Sequence, residues 1–170
     1  MSAKPRIAWI GIGKLGLPMA ARIAAAGFDI VGTDVSGERI AAAKARSLPT
    51  AADSAQALGG ASVVFTSLPD DKTLIKAVAG AGGIIENMPA TAILVETSTV
   101  SPEASAEVAV VAEKRGVAYV RSPVSGNPVS VEAGSASVLC SGPQAAFETI
   151  RPIVAAFSKS QKWLGNSEQA

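Results

Sequence analysis

Arg6-Ile7-Ala8-Trp9-Ile10-Gly11-Ile12-Gly13-Lys14-Leu15-Gly16, near the start of the 170-residue chain, decides the fold. Arg6 to Ile10 reads as a strand, and three glycines follow it at once. From Lys14 to Ala26, Leu15, Met19 and Ile23 recur every four residues, so they share one helical face, and Gly27 supplies the stop. A strand that turns through glycines into a helix gives GxGxxG a meaning it lacks alone. Gly11 permits a tight turn, Gly13 lets backbone approach a bound group, and Gly16 lets helix and strand pack closely. The helix N-terminus then presents N–H groups and the positive end of its dipole, which is a seat for phosphate.

Working outward, short β-branched runs alternate with Ala-rich stretches of helical period, the sign of repeated βαβ units. Ile30 to Thr33 reads as the second strand. Ser36 caps a helix to about Ala45, and Thr50 with Asp53 has capping-box spacing for another. Strands are expected over Ser62–Ser67, Ala92–Thr97 and Val117–Val120. Leu68-Pro69-Asp70 starts a helix with Leu74, Ile75 and Val78 inward, followed by a loose Gly80–Gly83 stretch. Ser101-Pro102 opens a helix to Gly116 with Val108 and Val111 on its buried side. Ala136 to Ser141 is a strand joined to Val120 by a Pro- and Gly-containing loop instead of a helix, which predicts an appended antiparallel portion. A helix through Phe147, Ile150, Val154 and Phe157, with Pro152 as a kink, leads to an edge strand over Gln161–Leu164. The expected class is α/β, a three-layer domain on a mostly parallel sheet.

Composition narrows the function. Apolar residues make up 48% of the chain and aromatic ones 4%, so Ala, Val, Ile and Leu must build the core. A net charge of +1 without basic runs argues against nucleic-acid or membrane partners and for a small ligand. No apolar run reaches the ~18 residues that span a bilayer, so a soluble cytoplasmic protein is expected. Cys140, the only cysteine, lies in an apolar run and reads as a buried thiol. The chain has no histidine, which excludes Ser-His-Asp and Cys-His catalysis and His-ligated zinc. No metal site is expected.

Asp34 lies 18 residues beyond Gly16, at the end of the second strand, where a carboxylate accepts hydrogen bonds from adenosine ribose hydroxyls. That favours NAD over NADP, since neither Val35 nor Ser36 is the arginine that compensates a 2′-phosphate. The competing reading makes Asp34 a helix cap.

Gly11-Ile12-Gly13-Lys14-Leu15-Gly16-Leu17-Pro18-Met19-Ala20, Ser98-Thr99-Val100-Ser101-Pro102 and Ser122-Pro123-Val124-Ser125-Gly126 occur in that order. Together they resemble the β-hydroxyacid dehydrogenase family, which includes 3-hydroxyisobutyrate and 6-phosphogluconate dehydrogenases. The resemblance covers Arg6 to about Gly165 and implies a Rossmann-type NAD(P)-binding domain. It implies that Gly11, Ile12, Gly13, Lys14, Leu15, Gly16, Asp34, Leu68, Pro69 and Thr99 hold the cofactor. It also implies that Ser125, Gly126 and Asn127 hold the carboxylate of a small-molecule substrate. As plain turn formers, Pro123 to Pro128 also read as a rigid surface loop. Arg121, Ser122 and Asn127 depart from the family, which has an acidic and a small residue before Pro123 and a second glycine after Gly126. Arg121 reads either as a further donor to a dicarboxylic substrate or as a solvated strand-end charge.

The resemblance implies a catalytic lysine on a helix beyond Ala170, residues 166–170 as the start of that interdomain helix, and a following helical domain. The chain alone is therefore expected to bind cofactor without turnover, and the complete protein to be a homo-oligomer. Lys162 and Asn166 are four apart, but Trp163-Leu164-Gly165 reads as strand and turn, so they share no helical face. An imine reductase-like domain, a stand-alone NAD-sensing module and a methyltransferase are the alternatives. A short-chain dehydrogenase is excluded because Pro123, not lysine, follows Tyr119 by four residues.

Overall fold

The computed structural model describes residues 5–167, 169 and 170. Its first unit is β1 (Arg6–Ile10), α1 (Gly16–Ala25) and β2 (Asp29–Thr33). α2 (Gly37–Ala45), α3 (Ser54–Leu58) and β3 (Val63–Thr66) follow. Then come α4 (Asp71–Leu74), which continues as a π-helical turn over Ile75–Ala79, and α5 (Ile84–Asn87). β4 (Ile93–Glu96), α6 (Pro102–Lys114) and β5 (Ala118–Arg121) complete the parallel part. The last part holds β6 (Val124–Ser125), α7 (Pro128–Glu132), β7 (Ala136–Ser141), α8 (Gln144–Val154) and β8 (Ser158–Gly165).

The strands β2, β1, β3, β4 and β5 lie side by side in that order and all run parallel. β7 then runs antiparallel to β5 and β6, and β8 pairs with β7 in parallel. The expected antiparallel appendage is present. Its pairs Arg121–Ser141, Val124–Val138 and Ser125–Ser137 keep one register, so β5 and β6 form a single strand interrupted at Ser122-Pro123. Pro123 lacks the N–H that a continuous ladder needs.

Alternation along the parallel strands sends side chains to both faces, and both are buried. Ile7, Trp9, Phe65, Val95 and Val120 pack under α1 and α8 with Met19, Ile23, Ile150 and Ile153. Ala8, Val64, Leu94 and Tyr119 pack under α4 and α6 with Leu74, Val108 and Ala112. Replacing a fully buried side chain such as Ile150 by alanine costs about 2–5 kcal/mol.

Several local expectations need correction. The third helix is capped by Asp53, which accepts the Gln56 N–H, while Thr50 instead bridges to Gly32 beside β2. The connection after β5 does contain a helix, α7, too short for periodicity to reveal. α5 was likewise hidden behind the Gly80–Gly83 turn. Val111 is only partly buried, with Ala112 taking the inward position. Phe157 is buried but lies beyond α8, which ends two residues after Pro152. β8 is twice the expected length. The expected start of a further helix over 166–170 falls where residue 168 lies outside the described residues; Asn166 and Ser167 form a bend.

Candidate functional site

The turn after β1 is built around its glycines. Gly11 has φ +93°, and its N–H donates to the Thr33 carbonyl at 2.9 Å. A Cβ there would run into the Ser67 carbonyl, and one at Gly16 would run into the Gly11 carbonyl. The protein itself therefore requires these two glycines. Gly13 differs: a Cβ there would meet only the Arg39 guanidinium, 3.7 Å away, so its bareness keeps the outer side of the turn open. Trp9 fixes the turn from below, its indole donating to the Gly11 carbonyl at 3.1 Å while its ring stacks on Phe65 at 4.8 Å.

The start of α1 is prepared for an anion. Ser36, Asp53, Asp70, Ser101 and Asn127 each cap a helix with a side-chain oxygen. α1 begins after Leu15 with no side-chain cap and no acidic residue in its first turn, as does α8 after Pro143, but only α1 of the two is preceded by the glycine turn. The Leu17 N–H is taken by the Gly13 carbonyl at 3.0 Å and Pro18 has none, so the donors offered at this opening are those of residues 13–16, where the dipole favours negative charge. Ile12 is buried under the turn, Leu15 half-buried, and Lys14 exposed beside this opening. These residues fit a pyrophosphate.

Asp34 stands beside the same turn. Its Oδ2 accepts the Ile12 N–H at 3.0 Å, and its Oδ1 accepts the Ser36 N–H at 2.9 Å. It is not the cap of α2; that role belongs to Ser36, whose hydroxyl accepts from the Arg39 N–H. Sequence reading missed Arg39, which reaches back from α2 to put Nη1 3.3 Å from Asp34 Oδ2. Sequence spacing points to the residues directly after Asp34, whereas the first turn of α2 brings position 39 round to the carboxylate. Val35, Ser36, Arg39 and Ala42 line a shallow groove here.

Leu68 and Pro69 follow β3, and Thr99 follows β4, so all three sit at carboxyl ends of neighbouring strands. The Leu68 N–H donates to Ser98 Oγ at 2.6 Å. The Ser98 N–H donates to Glu96 Oε1 at 2.6 Å, and Glu96 Oε2 is bonded to the Thr66 hydroxyl. The Ser101 N–H donates to Asp71 Oδ1 at 2.9 Å, a second tie between the two segments. Glu96 is 3% exposed, and burial pushes its carboxyl above the ordinary range against the pull of its Ser98 and Thr66 hydrogen bonds. It lines a cavity of about 230 Å³ with Ser98, Thr99, Pro123 and Arg121. Arg121 is not a solvated charge: it is 5% exposed, with its guanidinium 4.8 Å from the Tyr119 ring centre and Nη2 3.5 Å from the Ser105 carbonyl. Strand alternation places Tyr119 and Arg121 on the same buried face.

Ser125 and Gly126 lie exposed at the end of β6. Asn127 is also exposed, but its side chain accepts the Ser130 N–H at 2.9 Å and forms a capping box at the start of α7. Cys140 is buried against Ser122 Oγ at 3.3 Å, and burial raises its thiol. Lys162 lies on β8, not on a helix. Among the described residues no acidic, cysteine or histidine cluster could hold a metal, and no helix is long and apolar enough to cross a membrane.

A parallel sheet with helices on both faces, opened by a glycine turn onto an uncapped helix, defines a Rossmann-type dinucleotide-binding domain. Residues 6–165 match the family described as the NAD binding domain of 6-phosphogluconate dehydrogenase, and the chain belongs to that family. It is 33% identical over 164 residues to an uncharacterized oxidoreductase of Shewanella frigidimarina, covering 94% of this chain and 55% of that one. It is 29% identical over 167 residues to 2-(hydroxymethyl)glutarate dehydrogenase of Eubacterium barkeri, covering 98% and 56% respectively. The solved Mycobacterium tuberculosis 3-hydroxyisobutyrate dehydrogenase with L-serine superposes with a TM-score of 0.89 at 25% identity, over 98% of this chain and 56% of that one. The chain thus spans about half the length of the curated relatives it matches.

Proposed function

We propose that this chain is the coenzyme-binding half of an oxidoreductase that transfers hydride between a nicotinamide dinucleotide and a β-hydroxyacid. The observation that carries the reading is the contrast at the glycine turn: Gly11 and Gly16 are filled against by the protein, while Gly13 stays open outside an uncapped helix. The amides at the Gly13–Gly16 end of the turn hold the pyrophosphate, with exposed Lys14 beside it as a positive charge, while those of Gly11 and Ile12 are spent on Thr33 and Asp34. Asp34 takes the adenosine ribose. Leu68 and Pro69 border the nicotinamide end and Thr99 faces it. The bound coenzyme supplies the hydride acceptor or donor. Exposed Ser125 and Gly126, with the side-chain Nδ2 of Asn127, hold the substrate carboxylate by donating hydrogen bonds to it.

NAD is the favoured coenzyme because Asp34 repels a 2′-phosphate. Arg39 offsets that repulsion and admits NADP. Residues 1–165 form the domain and 166–170 approach an interdomain helix. Because the chain spans about half of its relatives, a following helical domain is taken to supply the proton-transferring lysine, the far cleft wall and the homo-oligomer contacts. The lone buried thiol accords with a cytoplasmic setting.

Calorimetric titration with NADH, NADPH and S-adenosylmethionine tests the reading. Saturable binding of a nicotinamide coenzyme with no response to S-adenosylmethionine is expected. A folded chain that binds neither coenzyme overturns it.

A further inference from the structure

We infer that Glu96 is the positioning residue that locks the nicotinamide-facing segments after β3 and β4 into one rigid wall. The inference rests on the dinucleotide reading above. It begins with topology: β3 and β4 are neighbours with Thr66 opposite Glu96, so the chain leaves the sheet twice at adjacent points, once toward Leu68-Pro69 and once toward Ser98-Thr99. Two such segments are independent loops unless something joins them.

Glu96 supplies the buried join, inside the outer tie from the Ser101 N–H to Asp71 Oδ1. Its two oxygens divide the work: Oε2 engages the Thr66 hydroxyl on β3, and Oε1 accepts the Ser98 N–H on its own segment at 2.6 Å. Ser98, thus oriented, turns its Oγ to accept the Leu68 N–H at 2.6 Å. The Thr97 hydroxyl adds a bond to the Thr66 carbonyl at 2.8 Å. Each member of the chain is needed to aim the next, and the low dielectric around a carboxyl that is 3% exposed strengthens every bond in it. Leu68, at the end of the network, and Thr99, next to Ser98 in the chain, are therefore held in place without ligand present. Rigid preorganisation of this kind lowers the ordering cost of binding.

The network tolerates a neutral group. A carboxyl or amide at position 96 still accepts from Ser98 through one oxygen and donates to Thr66 Oγ1 through the other atom, with the Thr66 hydroxyl turned to the Val95 carbonyl at 3.5 Å. A leucine keeps the volume and removes both bonds.

The test separates the two ends of the coenzyme. Wild type, Glu96→Gln, Glu96→Leu and Ser98→Ala are titrated with NADH and with ADP-ribose, which lacks the nicotinamide. Glu96→Leu and Ser98→Ala are expected to weaken NADH about tenfold, equivalent to ~1.4 kcal/mol, with ADP-ribose unchanged and Glu96→Gln at wild-type affinity for both. Ser98→Ala carries the test if Glu96→Leu fails to fold. An equal loss for both ligands, no loss for NADH, or a Glu96→Gln that behaves like the leucine variant overturns the positioning role. Failure of wild type to bind ADP-ribose overturns the coenzyme reading instead.

Discussion

Arg39 lies across the carboxylate of Asp34, Nη1 to Oδ2 at 3.3 Å, and leaves that side chain 3% exposed. The pair sets opposite charges where coenzymes differ by one phosphate. Arg39→Ala is expected to weaken NADPH about tenfold and to change NADH affinity little, since a lost phosphate contact is worth ~1.5–3 kcal/mol. Asp34→Asn is expected to shift the ratio toward NADPH. Competition calorimetry with both coenzymes checks the two variants. Arg39 is more than half exposed, so its loss should move the melting temperature little.

Gly11 and Gly13 should respond oppositely to the same added methyl. Gly11→Ala is expected to destabilise the fold by about 1–3 kcal/mol, because φ is +93° and the Ser67 carbonyl occupies the space. Gly13→Ala is expected to unfold at the wild-type urea midpoint within about 0.5 kcal/mol and to lose coenzyme affinity. Urea denaturation paired with NADH titration of each variant reads both effects.

Stability should decline as pH rises above the ordinary glutamate value of 4.5. Burial raises the Glu96 carboxyl, so the fold favours its protonated form. That preference contributes fully below 4.5 and is lost as pH climbs through the raised native value, beyond which the profile is flat. Asp70 and Asp71 act in the other direction. Hydrogen bonds from Thr73 and from Ser101 hold them below 3.8, so their contribution is present above 3.8 and lost on further acidification. Glu96→Gln should abolish the decline above 4.5 while keeping the acid limb, as urea midpoints from pH 3 to 8 would show.

Cys140 should be silent in the native state. It is fully buried and its thiol is raised, so a disulfide reagent at pH 8 is expected to react only at the rate of unfolding. Rapid stoichiometric labelling of native protein would contradict the burial.

The parallel half of the sheet was legible because its strands are buried on both faces and read as apolar runs between helical periods. In that half Arg6–Ile10 matches residue for residue, and in the appended portion so does Ala136–Ser141. α5 and α7 were not legible, since four or five residues carry no period. At the site, the glycine spacing was readable because turn geometry restricts those positions to one residue type. Arg39 and Glu96 were not, because their importance comes from contacts across the sheet and along α2. A signal did exist for Glu96: a carboxylate ending an apolar strand must find partners once it is buried, and Thr97 and Ser98 follow directly. Arg121 misled for the same reason, its burial coming from α6 packed above it.

The single register that β7 imposes on β5 and β6 has a consequence for how such a domain changes its specificity. Ser122 is buried against Cys140 and Val124 is held in the ladder, so exchange is confined to the exposed positions 125–127, with β3 and β4 between them and the glycine turn after β1. On the proposed reading, a change of acid is then a matter of rewriting three positions, with the dinucleotide-binding turn inherited intact.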